Sequence, residues 1–173
     1  MSVDKTWDTG LSLYAAYTNT DSEDVWNWTS SQAESNYGYQ QRWSGNPTAA
    51  TPSQFNIEHR FLAVLDYSKT FFGDNETRFT LVVNRQSGEP YSVTIDTSRG
   101  LGGLAYGGYD LAYVPTGVDD GVVEFSSPEV AVAVMAHVDG SDLSRFKGSY
   151  APRNAFTSPW FTRMDIRITQ SRG

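Results

Sequence analysis

Cysteine is absent from the 173 residues, which excludes a disulfide framework and thiolate metal sites and leaves the redox compartment open. Histidine occurs only as His59 and His137, so no pair at helical or strand spacing is there to start a transition-metal site. Basic residues are the minority, 13 against 20 acidic for a net charge of −7. That balance argues against nucleic acid, whose binding rests on cationic contacts to phosphate. No run reaches the roughly 18 apolar residues that a membrane-spanning helix requires. The opening MSVDKTWDTG lacks a basic segment followed by an apolar one, so no signal peptide is visible in it. A GxSxG elbow is missing, and a hydrolase triad has no anchor. GLGGLA at 100–105 fits a dinucleotide fingerprint formally, but YGGYDLAYVP follows where a helix belongs, and the stretch reads as loop.

What the chain does contain is aromatic and turn-rich: aromatics are 14%, with 15 glycines, 10 tyrosines and 5 tryptophans. That mixture, in a length suited to one domain with a real core, predicts an all-β chain with many turns.

Alternation defines the strands. Asp8-Thr9-Gly10 reads as a tight turn before LSLYAAYTNT, which has a loose period of two. Residues 19–56 then read as loop for almost 40 positions, a length that is generally functional. In NIEHRFLAVLDYSKTFF, His59, Phe61, Ala63, Leu65 and Tyr67 share one face, with Arg60, Leu62, Val64, Asp66 and Ser68 on the other. A hairpin turn over Gly73 to Glu76 leads into TRFTLVVNRQ, which alternates again. After SGEPYSVTID comes a second excursion, 97–158, containing a helix start at Ser127-Pro128-Glu129 with Ser as N-cap and Pro at the first helical position. A short helix near 128–138 ends by Gly140, and WFTRMDIRITQ forms the last strand. The expected fold is therefore an antiparallel meander of about four long strands with two long loops and one short helix.

Turns are short at one edge of this meander and very long at the other, and the strands carry one apolar and one charged face. Transmembrane β-barrels have this pattern, with strands of about 9–11 residues or more. A water-soluble antiparallel sheet also has one apolar and one polar face, and periodicity leaves both open.

GLSLYAAYTNTDSEDV, IEHRFLAVLDYSKTFF, RQSGEPYSVTI, DLAYVPTG and APRNAFTSPWFTRMDIRITQ, in this order between about residues 3 and 170, resemble the late barrel region of TonB-dependent outer-membrane receptors, especially the large Oar-like type. The resemblance implies a transmembrane β-barrel in the bacterial outer membrane, part of a transporter for a scarce solute, with no catalysis and no cofactor. Residues 1–173 would then be a partial barrel domain, an internal fragment without the plug domain or the TonB-contacting segment. Its partners would be outer-membrane lipid, the rest of the barrel and plug, TonB through the absent plug region, and a small solute whose identity the loops decide. Ser87-Gly88-Glu89-Pro90 would mark the exit of a strand from the bilayer, with Tyr91 near the interface or outer rim. Arg60, Asp66, Arg163, Asp165 and Arg167 would face the water-filled lumen.

Of the remaining candidates, the loop aromatics Trp26, Trp28, Tyr37, Tyr39 and Trp43 are the expected ligand-binding residues, since exposed aromatics stack on sugar faces and other flat ligands. Their other reading is packing or an interfacial belt. His59 reads as a rim residue. The acidic clusters Asp21-Ser22-Glu23-Asp24 and Asp119-Asp120 could hold calcium but match no EF-hand spacing, and solvated loop acid explains them as well. Two other classes stand beside the receptor: a secreted soluble β-sheet carbohydrate-binding module using Trp26, Trp28 and Trp43, and a hydrolase with Asp66 and Asp165 as paired carboxylates in one cleft.

Overall fold

The computed structural model describes residues 1–96 and 108–171. In chain order the elements are β1 (Ser2–Thr6), β2 (Leu11–Asn19), β3 (Glu23–Asp24), helix α1 (Ala33–Gly38), β4 (Thr51–Pro52), β5 (His59–Phe72) and β6 (Asn75–Gln86). They continue with β7 (Pro90–Tyr91), β8 (Thr94–Ile95), β9 (Asp110–Leu111), β10 (Tyr113–Val114), helix α2 (Pro128–Asp139), a 3-10 turn (Asp142–Phe146), β11 (Ser149–Tyr150), β12 (Phe156–Thr157) and β13 (Phe161–Gln170). The protein is mostly β, and its sheets are antiparallel. It forms two compact units, one from Met1–Asp21, Asn56–Glu89 and Ser158–Gly173, the other from Ser22–Phe55 and Pro90–Thr157.

The first unit is a five-stranded meander in the order β1-β2-β5-β6-β13. Its register lines side chains into rows across the sheet. One apolar row runs Leu13, Leu65, Leu81, Ile166, and the next runs Val3, Ala15, Ala63, Val83, Met164. The opposite face carries Ser12, Asp66, Thr80 and Arg167 in one row and Asp4, Tyr14, Val64, Val82 and Asp165 in another. The period of two read from the sequence is thus the period of the sheet.

Tight turns join β1 to β2 and β5 to β6. Gly10 has φ +84°, and a Cβ there would lie 2.2 Å from the Ser68 carbonyl oxygen, because Ser68 N–H donates to Gly10 O at 2.9 Å. Only glycine admits both that dihedral and that approach.

Two expectations need correction. Beside the four long strands expected, β2, β5, β6 and β13, the sheet takes a fifth and short one, because SVDKT forms β1. Its length of five residues and the adjacent Asp4 and Lys5 hide any apolar alternation, and its place is set by pairing with β2. Nor does the strand resume after SGEP. β6 ends at Gln86, and Pro90–Tyr91 pairs with Phe156–Thr157 while Thr94–Ile95 pairs with Asp110–Leu111. The unit boundary falls between Glu89 and Pro90.

The second unit packs α2 and the 3-10 turn against short ladders around Val114, Met135, Val138, Leu143, Ala151 and Phe156. Helix α2 begins as its sequence predicts: Ser127 is the N-cap, its side chain accepts from Val130 N–H, and Pro128 occupies the first turn. The stretch 19–56, expected as loop, also contains α1 and the β3–β4 ladder. Every buried hydrophobic side chain among the described residues belongs to this unit: Leu111, Ala112, Val114, Ala131, Met135, Val138, Leu143, Ala151 and Phe156. The five-stranded sheet contributes none. No described helix is long and apolar enough to cross a membrane, a statement that does not bear on strands.

Candidate functional site

On the sheet, the apolar face is open. Met164, Ile166 and Ile168 are 66%, 75% and 65% exposed, and Val3, Phe61, Leu65 and Phe79 are exposed with them. Aromatic side chains bracket this face along the strands. At the end where the long connections leave, Tyr17 lies 4.8 Å from Phe61 and 6.1 Å from His59, and Trp160 stacks 5.9 Å from His59 (ring centroids throughout). The Arg85 guanidinium sits over Trp160 at 5.3 Å. At the short-turn end stand Tyr67, Phe71 and Phe79, with Lys5 over Trp7 at 6.0 Å. Phe61 and Phe71 both lie on β5, ten residues apart. At strand rise this is about 34 Å.

His59 is held in its row from three sides. Tyr17 Oη lies 2.9 Å from its Nδ1, its N–H donates to Ser87 Oγ at 3.1 Å, and Ser87 N–H donates to its carbonyl at 2.8 Å.

Register places Arg60, Asp66, Arg163, Asp165 and Arg167 together on the face away from Ile166. Arg60 Nε donates to Asn84 Oδ1 at 3.1 Å, Thr80 Oγ1 donates to Asp66 Oδ1, and Arg163 Nε pairs with Asp165 Oδ2 at 2.9 Å. A polar hollow of about 370 Å³ opens beside Asp66, Glu76, Arg78, Thr80 and Arg167. Asp66 and Asp165 do not form a carboxylate pair. They are two strands apart, across Thr80 and Val82 of β6, each engaged with its own neighbour.

In the second unit the loop aromatics fall into three groups. Trp26 lies 6.1 Å from Trp28 and 5.9 Å from Tyr37. Tyr39 meets Tyr109 edge-on at 5.3 Å, and Trp43 stacks on Tyr150 at 5.1 Å with their planes 10° apart. Trp28, Tyr37, Tyr39 and Trp43 all keep exposed surface.

Between these groups lies Arg42, a residue that the sequence does not single out. It is 1% exposed, and so is Asp110. An isolated parallel bridge joins the two positions, with Arg42 N–H donating to Tyr109 O at 3.2 Å and Leu111 N–H to Arg42 O at 3.1 Å. The guanidinium lies 3.8 Å from the Tyr37 ring and 5.9 Å from Trp26, and Nη1 donates to Tyr37 O. Burial pushes its pKa below the ordinary value, opposed by Tyr37 and the Asp110 carboxylate. An arginine remains charged under such a shift. Its Nε and Nη2 are buried and make no hydrogen bond among the described residues. Arg42 lines a cavity of about 230 Å³ with Gln40, Gln41, Trp43, Tyr150 and Arg153. Arg153 is committed: its guanidinium pairs with the Asp24 carboxylate, donates to the Asp24 carbonyl and reaches Thr51 Oγ1 at 3.0 Å.

One carboxylate of each acidic loop cluster serves structure. Asp24 takes the pair with Arg153, and Asp120 accepts from the N–H groups of Thr116, Val122 and Val123 and from Thr116 Oγ1. Those donors hold the Asp120 carboxyl down at about 2. Among the described residues no three His, Asp or Glu side chains converge as a metal site. The GLGGLA stretch lies outside the described residues.

Set against family models, curated proteins and solved structures, the chain matches none. Its function is therefore argued from its own surfaces.

Proposed function

We propose that the protein is a wall section, with outer loops, of a TonB-dependent receptor barrel in the bacterial outer membrane. The observation that supports this is the five-stranded sheet, whose apolar face is covered by no described side chain and is bracketed by aromatic rows. A water-soluble sheet buries such a face under a second layer. Here the face meets lipid, and the Phe61–Phe71 spacing, about 26 Å along the bilayer normal for a strand tilted ~40°, suits an apolar band of about 25 Å between aromatic girdles. On the other side Arg60, Asp66, Arg163, Asp165 and Arg167 line water, where charge costs little. The long connections carry the second unit, whose aromatic groups meet the solute. The section performs no catalysis; the gating plug and the remaining strands belong to the parent receptor.

The absence of cysteine makes a direct test possible, because any introduced thiol is unique. Ile166→Cys and Arg167→Cys are neighbours on β13 that face opposite sides. With the full chain folded into phosphatidylcholine vesicles, a membrane-impermeant maleimide should label Arg167→Cys at least about tenfold faster than Ile166→Cys. Equal labelling, with the chain left in the aqueous fraction, overturns the proposal and favours the soluble carbohydrate-binding module.

A further inference from the structure

The two faces of the five-stranded sheet differ in charge. By register, the acidic residues of its strands, Asp4, Asp66, Glu76 and Asp165, all lie on the polar face, where Arg60, Arg78, Arg163 and Arg167 balance them. The apolar face carries no strand carboxylate and three cations, Lys5, Lys69 and Arg85. Each lies over an aromatic ring near one end of that face: Lys5 over Trp7 at 6.0 Å, Lys69 over Phe71 at 5.9 Å and Arg85 over Trp160 at 5.3 Å. All three are exposed, and among the described residues none is paired with a carboxylate. A guanidinium lying on a ring keeps its fork of edge donors, which matches a phosphate with two bonds at once.

Arg85 also borders a hollow. Beside its row, Val3, Ala15, Ala63 and Val83 form a row of short side chains, and the longer Leu13, Leu65 and Leu81 follow. The step in height leaves an apolar hollow of about 310 Å³, with Tyr17, Phe61 and Arg85 at its rim. An apolar chain with an anionic end suits that arrangement, the chain over the alanines and the anion at the guanidinium.

We propose that Arg85 and this hollow form a binding site for an anionic lipid, with the guanidinium on the headgroup phosphate and an acyl chain along the Val3–Ala15–Ala63–Val83 row. The proposal rests on the reading of this face as lipid-facing and adds which lipid it selects. Charge complementarity decides the occupant. A zwitterionic headgroup offsets its own phosphate, whereas cations without carboxylates favour a headgroup of net negative charge.

Thr162 on β13 is the register partner of Arg85, and the chain has no cysteine of its own, so a bimane on Thr162→Cys reports the lipid beside Arg85. The labelled full chain is folded into phosphatidylcholine vesicles with a minor fraction of acyl-brominated phosphatidic acid or the same fraction of acyl-brominated phosphatidylcholine. Phosphatidic acid should quench as though enriched about fivefold at the label, the gain of one cation at an anionic headgroup. Arg85→Gln should bring the two lipids to equal quenching, while Lys69→Gln, at the other end of the face, should leave the difference unchanged. Equal quenching by the two lipids before any charge is removed overturns the proposal and leaves the barrel reading standing, because the phosphatidylcholine signal already reports lipid at the face. Quenching by neither lipid overturns both. Equal loss from Arg85→Gln and Lys69→Gln marks a diffuse charge effect and also overturns the site. The comparison of lipids needs no Arg85 variant, so a failure of Arg85→Gln to insert leaves it decisive.

Discussion

At Gly88 a Cβ would lie 1.9 Å from the Ser158 carbonyl oxygen, closer than any side chain permits. The adjacent Ser158 N–H donates to Glu89 O at 3.0 Å, so the two segments run in contact as the chain leaves β6 and enters β13. Gly88→Ala should therefore part them at a cost of about 1–3 kcal/mol, read as a lower urea midpoint in detergent. Asp120 gives a prediction in pH. Its folded pKa of about 2 is below the ordinary 3.8, so its contribution is complete above 3.8 and lost as pH falls through 2. Proteolysis near 116–123 should rise as pH falls from 4 to 2, and Asp120→Ala should show that susceptibility already at neutral pH. Residue chemistry was unevenly legible in the sequence. The five loop aromatics were visible as types, and the structure gives them neighbours in three separate groups. Arg42 was invisible because its burial is created by Tyr109, Asp110 and Leu111, far along the chain. The one local signal was an arginine beside Trp43 and within five residues of Tyr37.

Arg153 acts between elements. It crosses the β3–β4 ladder by holding Asp24 on one strand and Thr51 on the other, residues that are register partners. Asn154 adds a bond from Nδ2 to Pro52 O at 2.7 Å. Arg153 is 6% exposed, so Arg153→Ala leaves Asp24 without its partner and should cost about 3 kcal/mol, measured by chemical denaturation. At α2, Ser127→Ala should cost about 0.5–1 kcal/mol while Ser127→Asp retains stability, because either hydroxyl or carboxylate oxygen can accept from Val130 N–H. Elements were readable where side-chain pattern and backbone partner agree. β5, β6, β13 and α2 follow from alternation or from a cap and proline. β1, β7 and β8 do not, because strands of two to five residues are defined by what they pair with and carry too few side chains for a period.

For the whole molecule, the sheet ends in β1 on one side and β13 on the other, and its apolar face has no described cover. Open edges and a bare apolar face drive association in water. The full chain should self-associate with rising concentration in buffer, followed by light scattering, and return to a single small species in nonionic detergent. The second unit has a different dependence, since it is knitted from two excursions of the chain. Arg42 meets Tyr109 and Leu111, and Arg153 meets Asp24 across 129 positions. During synthesis at about 5–20 residues per second, segment 22–55 waits about 5–20 seconds for residue 153 to be made. Until close to the end of that interval Trp43 lacks Tyr150, the ring on which it later stacks, and for its first half Arg42 lacks Tyr109 and Leu111, so the segment richest in tryptophan is the one a holding chaperone would meet first.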